Sequence, residues 1–225
     1  MQPHEFWQDI HAAGTFETEG PFVDGYPAVL DDGRQIRLPI RALADGRHGL
    51  ASLIINQASF AVQDALAGAL ARRLAPFRPE IVVGLPTLGL TLAAAVARKL
   101  DHPRYVPLGT SRKFWYDEGL SVSLSSITTP DQAKRLYIDP RMLPLIENRR
   151  VALIDDVVSS GTSMRAGLDL LSGCGIEPVA LGVAMAQTSA WESRLDAWPD
   201  RLVSVFSTPR LAKTGEGGWM PLSQD

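Results

Sequence analysis

The chain has a single cysteine, Cys174, and four scattered histidines, His4, His11, His48 and His102. No internal disulfide can form, and neither residue type recurs at a metal-ligand spacing. Cys174 lies in "LLSGCGIEP", a Gly-rich turn closing a helix, where a structural role is expected of it. No apolar run approaches the roughly 18 residues of a membrane span. The first residues, "MQPHEFWQDI", lack the basic stretch and apolar core of a signal peptide. A soluble, cytoplasmic protein with no membrane partner is expected. An excess of positive charge is missing too: 22 Lys and Arg stand against 25 Asp and Glu, a net charge of −3. That balance gives no basic footprint for nucleic acid, so any anion site has to be local. Solenoid repeats and low-complexity segments are also absent.

What is present suits one sizeable globular domain with a small appendage: 225 residues, 45% hydrophobic and 21% charged. "YPAVL" and "QIRLPI" flank "DDGR", whose Asp-Gly step signals a turn, so residues 26–40 read as a β-hairpin. From Gln57 to Leu74, Phe60, Leu66, Leu70 and Leu74 keep helical spacing, and "APFRPE" supplies the break. "EIVVGLPTLGLTLAAAVARKL" then gives a strand, a Gly-bounded loop and an Ala-rich helix, with "RYVPL" as the next strand. The pattern repeats with "RRVALID" as strand, "DVVSSGTS" as loop, "MRAGLDLLSG" as helix and "PVALGVAMA" as strand. Such alternation predicts an α/β fold, a parallel sheet with helices on both faces. Residues 109–134 form a polar, Ser/Thr-rich connection with an aromatic cluster at Phe114, Trp115 and Tyr116. A connection this long is functional or mobile. The chain closes with one more strand and a Gly-rich tail in which Trp219 is the bulky residue.

The chemistry concentrates in "VALIDDVVSSGTS", residues 151–163. In an open parallel sheet ligands bind beyond the carboxyl ends of the strands, where Asp155, Asp156 and the following loop fall. Two unpaired buried carboxylates would be costly, so exposure to a cleft with hydroxyl or metal partners is expected. Ser159, Ser160, Thr162 and Ser163 offer hydroxyls and Gly161 a permissive backbone, at the opening of a helix whose dipole favours a phosphate. Each part also has an ordinary explanation, since Ser and Thr before a helix are common N-caps. A P-loop is excluded because "GLPTLGLT" has Leu90 where the lysine must be, and no G-x-G-x-x-G dinucleotide fingerprint occurs.

In its fixed order, the thirteen-residue stretch resembles the signature of the type I phosphoribosyltransferases, which bind 5-phosphoribosyl 1-pyrophosphate. The resemblance extends over residues 57–208 and implies the type I phosphoribosyltransferase fold. It divides the chain into an N-terminal extension with its hairpin (1–56), the core (57–208) and a hood-like C-terminal tail (209–225). It implies that Asp155 and Asp156 hold the ribose hydroxyls as the catalytic acids, and that Ser159, Ser160, Gly161, Thr162 and Ser163 enclose the 5-phosphate. "GLPTLG" looks like the family's pyrophosphate loop, nominating Leu85, Pro86, Thr87 and Leu88. "SRKFW" resembles the start of its flexible loop, nominating Arg112 and Lys113 for the pyrophosphate. For the base the candidates are Phe206 and Trp219, with Trp115 as a lid.

The reaction so implied displaces pyrophosphate from the sugar by a nitrogenous base, with Mg²⁺ as cofactor and a homodimer as the expected assembly. "RLYIDPRML" has the position of the connector in adenine and xanthine phosphoribosyltransferases, which makes a purine in nucleotide salvage the expected acceptor. A pyrimidine acceptor (orotate or uracil) and a non-catalytic sensor of the same sugar donor are the alternatives. Two departures bear on the acceptor: Ser159 stands where hypoxanthine-guanine members carry an acid, and "GLPTLG" lacks the carboxylate of the adenine type. Asp117, Glu118 or the tail would then have to supply any general base.

Overall fold

The alternating short runs at the N-terminus fold into strands, and the turn chemistry sets their pairing. In the computed structural model, which describes residues 2–124 and 134–222, β1 (Tyr26–Val29) and β2 (Gln35–Leu38) pair antiparallel about the Asp-Gly turn. β3 (Ile40–Ala42) and β4 (His48–Ala51) follow as a second antiparallel pair. The first long helix, α1 (Phe60–Leu74), starts where the Ser59 side chain accepts a hydrogen bond from the Val62 N–H at 3.2 Å. It therefore begins three residues later than the spacing suggested. Phe60, counted by that spacing among the apolar stripe, is 85% exposed at the first turn.

The central sheet is built by β5 (Ile81–Gly84), α2 (Gly89–Lys99) and β6 (Val106–Pro107), then, after a small antiparallel flap of β7 (Ser121–Ser123) and β8 (Arg135–Tyr137), by β9 (Val151–Val158), α3 (Thr162–Gly173), β10 (Ala180–Gln187) and β11 (Leu202–Thr208). Its five strands are parallel, in the order β11-β10-β9-β5-β6. Side chains alternate between two cores. Val82, Ala152, Ile154 and Ala184 join the cluster that contains α1 and α2, while Val83, Leu153, Leu181 and Val183 join the one that contains α3. Burial on both faces explains why these strands read as nearly continuous apolar runs.

β9 is longer than the sequence pattern indicated. It takes in both acids and the two valines after them, so the loop begins only at Ser159. The 109–134 connection contributes β7 to the flap and leads into β8, and residues 125–133 of it lie outside the described residues.

β12 (Arg210–Lys213) and β13 (Trp219–Pro221) complete a second, antiparallel sheet of order β13-β12-β4-β3. Strands from the two ends of the chain thus form one layer. Gln187 Nε2, at the end of β10, donates to the Ala51 carbonyl of β4 at 2.6 Å and ties that layer to the carboxyl edge of the central sheet. Among the described residues no helix is long and apolar enough to cross a membrane.

Candidate functional site

Strand order locates the site before any side chain is considered. From β5 the chain moves outward to β6, then returns to the other side of β5 and continues through β9, β10 and β11. The reversal lies between β5 and β9, and ligands of open α/β sheets bind in the crevice outside the carboxyl ends at such a switch point. The loops that leave these two strands are "LPTL" (85–88) and "SSG" (159–161), the two segments singled out from the sequence.

They are in direct contact. α2 starts at Gly89, and a Cβ placed there would lie 2.5 Å from Asp155 Oδ1 and 2.9 Å from Asp155 Cα. Only a hydrogen at this position lets the first turn of α2 rest on the acids. Just past β5, the Leu85 N–H donates to the Ile154 carbonyl of β9 at 2.9 Å. The four-residue loop expected for pyrophosphate is accordingly not uniform. Leu85 is 1% exposed with its N–H already given to β9, and Pro86 has no N–H to give, so neither can donate to an anion. Thr87 is exposed and Leu88 half-buried at the head of α2. The Pro86–Thr87 peptide bond is cis.

Asp155 and Asp156 are 7% and 8% exposed, rather than open to a cleft as their adjacency suggested. Ile154 and Val157 belong to one core and Leu153 and Val158 to the other, so the in-and-out alternation slips by one across the acids. The Asp156 N–H donates to Asp155 Oδ1 at 2.9 Å. Burial, and next the Asp156 charge beside it, push the Asp155 carboxyl well above the usual carboxylate range. Burial raises Asp156 as well, while its hydrogen bond with Asp155 works the other way. The pair therefore holds a proton on Asp155 more readily than either acid would alone. Hydroxyls that donate to the carboxylates, or a divalent cation, would relieve the same like-charge repulsion. Among the described residues no group of three or more His, Cys, Asp or Glu could hold a metal ion. Two hard carboxylates combined with phosphate oxygens from a ligand do fit Mg²⁺, which is commonly bound in that way.

After Val158 the loop and the first turn of α3 line a depression of about 120 Å³, with Asp155 also on its wall. The N-cap of α3 is Gly161 in the left-handed region at φ 75°, and no side chain caps the helix. Ser160 Oγ and Thr162 Oγ1 instead bond each other at 3.0 Å. Among the described residues the N–H groups of Ser159, Ser160 and Gly161 have no protein acceptor. The ordinary capping explanation of these hydroxyls thus fails here, whereas Ser59 on α1 does cap its helix. Uncapped N–H groups, the positive end of the dipole and hydroxyls form an anion-binding set.

The remaining sequence candidates are dispersed. Arg112 pairs with Glu118 at 2.8 Å on the surface, and Lys113 is exposed beside it. Asp117, weighed as a general base, accepts the Gly119 N–H at 2.9 Å. Trp115 lies under the Arg141 guanidinium at 4.4 Å, and its Nε1 donates to Asp139 Oδ2 at 3.2 Å, which fastens this segment to the connector before β9. Arg141 holds the Asp139 carboxyl down at about 2. Phe206 is 5% exposed within the α1–α2 core, leaving no open ring face for stacking. Trp219 packs its ring on Gly49 of β4. Two residues at the site escaped sequence reasoning. Gly89 reads as one more loop glycine. Arg194 sits in the β10–β11 connection "SAWESRLDAWPD", where nothing local separates it from Arg201, which pairs with Glu177 at 2.7 Å.

Comparison with known proteins agrees with this architecture. An orotate phosphoribosyltransferase of Methylibium petroleiphilum is 31% identical over 123 residues, 54% of this chain and 45% of its own length. A transcriptional regulator, GfcR, of Halorubrum lacusprofundi is 34% identical over 103 residues, 45% of this chain and 42% of its own. The chain thus spans less than half the length of these relatives. Among solved structures, the adenine phosphoribosyltransferase of Giardia lamblia complexed with 9-deazaadenine superposes with a TM-score of 0.55 at 21% identity, over 66% of this chain and 80% of that one. The adenine phosphoribosyltransferase of Thermoanaerobacter pseudethanolicus gives 0.54 at 17%, over 66% and 81%. The Phosphoribosyl transferase domain family matches residues 51–207, and the chain belongs to that family.

Proposed function

We propose that the chain transfers the 5-phosphoribosyl group from phosphoribosyl pyrophosphate to a nitrogenous base. The observation that carries the reading is the uncapped start of α3, where N–H groups and two hydroxyls line a small depression next to buried paired acids. A phosphate and a diol at a fixed separation on one sugar would occupy both halves at once. In the proposed arrangement residues 159–163 hold the 5-phosphate and Asp155 and Asp156 accept hydrogen bonds from the ribose hydroxyls. Thr87 and Leu88 present N–H groups to the pyrophosphate. Arg112 and Lys113 come to it from the flap side, of the same chain or of a second copy in a homodimer.

In the transfer, a lone pair on the base nitrogen forms the C1–N bond as the C1–O bond breaks, and its electron pair leaves with the pyrophosphate. Any proton on the attacking nitrogen passes to solvent or to a nearby acceptor. Mg²⁺, held by Asp155 and Asp156 together with the ligand's own oxygens, would supply charge neutralisation of the leaving group. The protein's part is positioning: buried acids that fix the sugar, fixed N–H dipoles at both ends of it, and a flap that excludes water.

For the acceptor, a purine is the proposed class. It rests on the likeness of the connector before β9 to adenine-type chains, while sequence relatives named for orotate argue for including pyrimidines in the test. Pyrophosphate release with phosphoribosyl pyrophosphate, Mg²⁺ and a panel of adenine, hypoxanthine, guanine, xanthine, orotate and uracil decides it. Turnover with a purine supports the full reading, and turnover with orotate or uracil moves the acceptor alone. Tight donor binding with no turnover on any base would replace the enzyme with a sensor.

A further inference from the structure

The anion cradle at the start of α3 contains no lysine or arginine of its own, yet a cation reaches it from elsewhere in the fold. Arg194 Nη1 donates to the Ser160 carbonyl at 2.7 Å and to Thr162 Oγ1 at 2.6 Å. It arrives from the connection between β10 and β11, which is pressed on the loop. A Cβ at Gly161 would lie 3.4 Å from Arg194 Cβ, from Leu195 Cγ and from the Trp191 carbonyl. Resting on the reading of this loop as a 5-phosphate site, we propose that Arg194 is a ligand-binding residue that supplies the positive charge for that phosphate.

Hydrogen-bond accounting supports a part beyond bracing the loop. Ser160 Oγ and Thr162 Oγ1 share one proton between them, and Thr162 Oγ1 also accepts from Arg194. Two hydroxyls carry two protons, so one O–H of the pair is left to donate outward. By filling the acceptor side of Thr162, Arg194 presents that O–H to an incoming phosphate oxygen, which can only accept. Its own Nη2 and Nε have no partner among the described residues, and no carboxylate there pairs with the guanidinium. An arginine beside a phosphate site with two nitrogens to spare is suited to the fork-like contact that phosphate oxygens favour. The segment 188–201 would then form part of the donor site, although it lies outside the signature.

The test is calorimetric titration of ribose 5-phosphate and, separately, of pyrophosphate into the wild type and into Arg194→Ala, Arg194→Gln and Arg194→Lys. Loss of a charge-assisted contact weakens binding on the order of 10- to 100-fold. That loss is expected for ribose 5-phosphate in the Ala and Gln variants, with pyrophosphate affinity unchanged and partial recovery in the Lys variant. The Gln variant retains an amide donor for the loop, so its loss separates charge from bracing. Unchanged ribose 5-phosphate affinity in the Ala and Gln variants would overturn the role of Arg194 and leave the transferase reading intact. An equal loss for both ligands would reduce Arg194 to a brace for the fold and equally overturn it. A wild type that binds neither ligand nor phosphoribosyl pyrophosphate would remove the site reading itself, and the inference with it.

Discussion

Gly89→Ala probes the contact that joins the two halves of the site. The new methyl would lie 2.5 Å from Asp155 Oδ1 and 2.9 Å from Asp155 Cα, where one neighbour is main chain and cannot swing aside. Carbon–oxygen contacts normally sit at about 3.3 Å or more, so α2 or β9 must yield by most of an ångström. Overpacking of this kind costs about 1–3 kcal/mol. Replacing Gly in a helix returns up to ~1 kcal/mol, so the net destabilisation is about 0–3 kcal/mol. At roughly 2–4 °C per kcal/mol for a chain of this size, the melting temperature falls by at most about 12 °C. Function should suffer more, because displacing a reacting group by ~1 Å can cost about 100-fold. The assays are thermal melting and pyrophosphate release, with Gly68→Ala as control. At Gly68, in the middle of α1, a Cβ would meet only the tip of Arg72 at 3.7 Å. That substitution should stabilise by about 0.5–1 kcal/mol and leave activity alone. Wild-type turnover and wild-type stability in Gly89→Ala would refute the apposition of α2 and the acids.

Two other substitutions address the acids and the terminal sheet. Asp155→Asn keeps an Oδ1 for the Asp156 N–H and removes a carboxyl whose folded pKa is raised by burial. Between its unfolded value and that raised value the native state binds the extra proton, so wild-type stability falls as pH rises through the window. The variant should therefore melt higher than the wild type near about pH 8, with the gap closing towards about pH 4, while turnover is lost. An equal or lower melting temperature at the higher pH would show that the acid is not under strain. Gly49→Ala places a Cβ 2.8 Å from the Trp219 ring and 3.0 Å from Ile40 Cγ2. It should destabilise by about 1–3 kcal/mol and expose the C-terminal strands to limited proteolysis, whereas unchanged cleavage would argue against the four-stranded terminal layer.

The central sheet was legible in the sequence because strands buried on both faces leave long apolar runs, and "VALI" and "PVALGVAMA" are of that kind. The end of β9 was less legible. Its last four residues mix two acids with two valines, and pairing to β10 overrides the local signal that a loop starts at the acids. The joining of β4 with β12 could not be read, since Leu50 and its partner Arg210 lie 160 positions apart and no local pattern links them.

At the site, the order of acids, hydroxyls and glycine was read directly, because it is a contiguous motif. Arg194 was invisible, since its partners Ser160 and Thr162 lie more than thirty residues away and are reached only through the fold. Residue type alone nominates the base-stacking candidates, and Phe206 shows how weak that signal is: near a strand end an aromatic ring fills the core as readily as it lines a pocket.

The most direct measurement is a crystal structure of the chain with phosphoribosyl pyrophosphate and Mg²⁺ bound. The 5-phosphate is expected in the depression at the start of α3, within hydrogen-bond distance of Ser160 and Thr162, with the ribose hydroxyls on Asp155 and Asp156. A donor bound with its 5-phosphate elsewhere, or with neither acid touching the ribose, would contradict it.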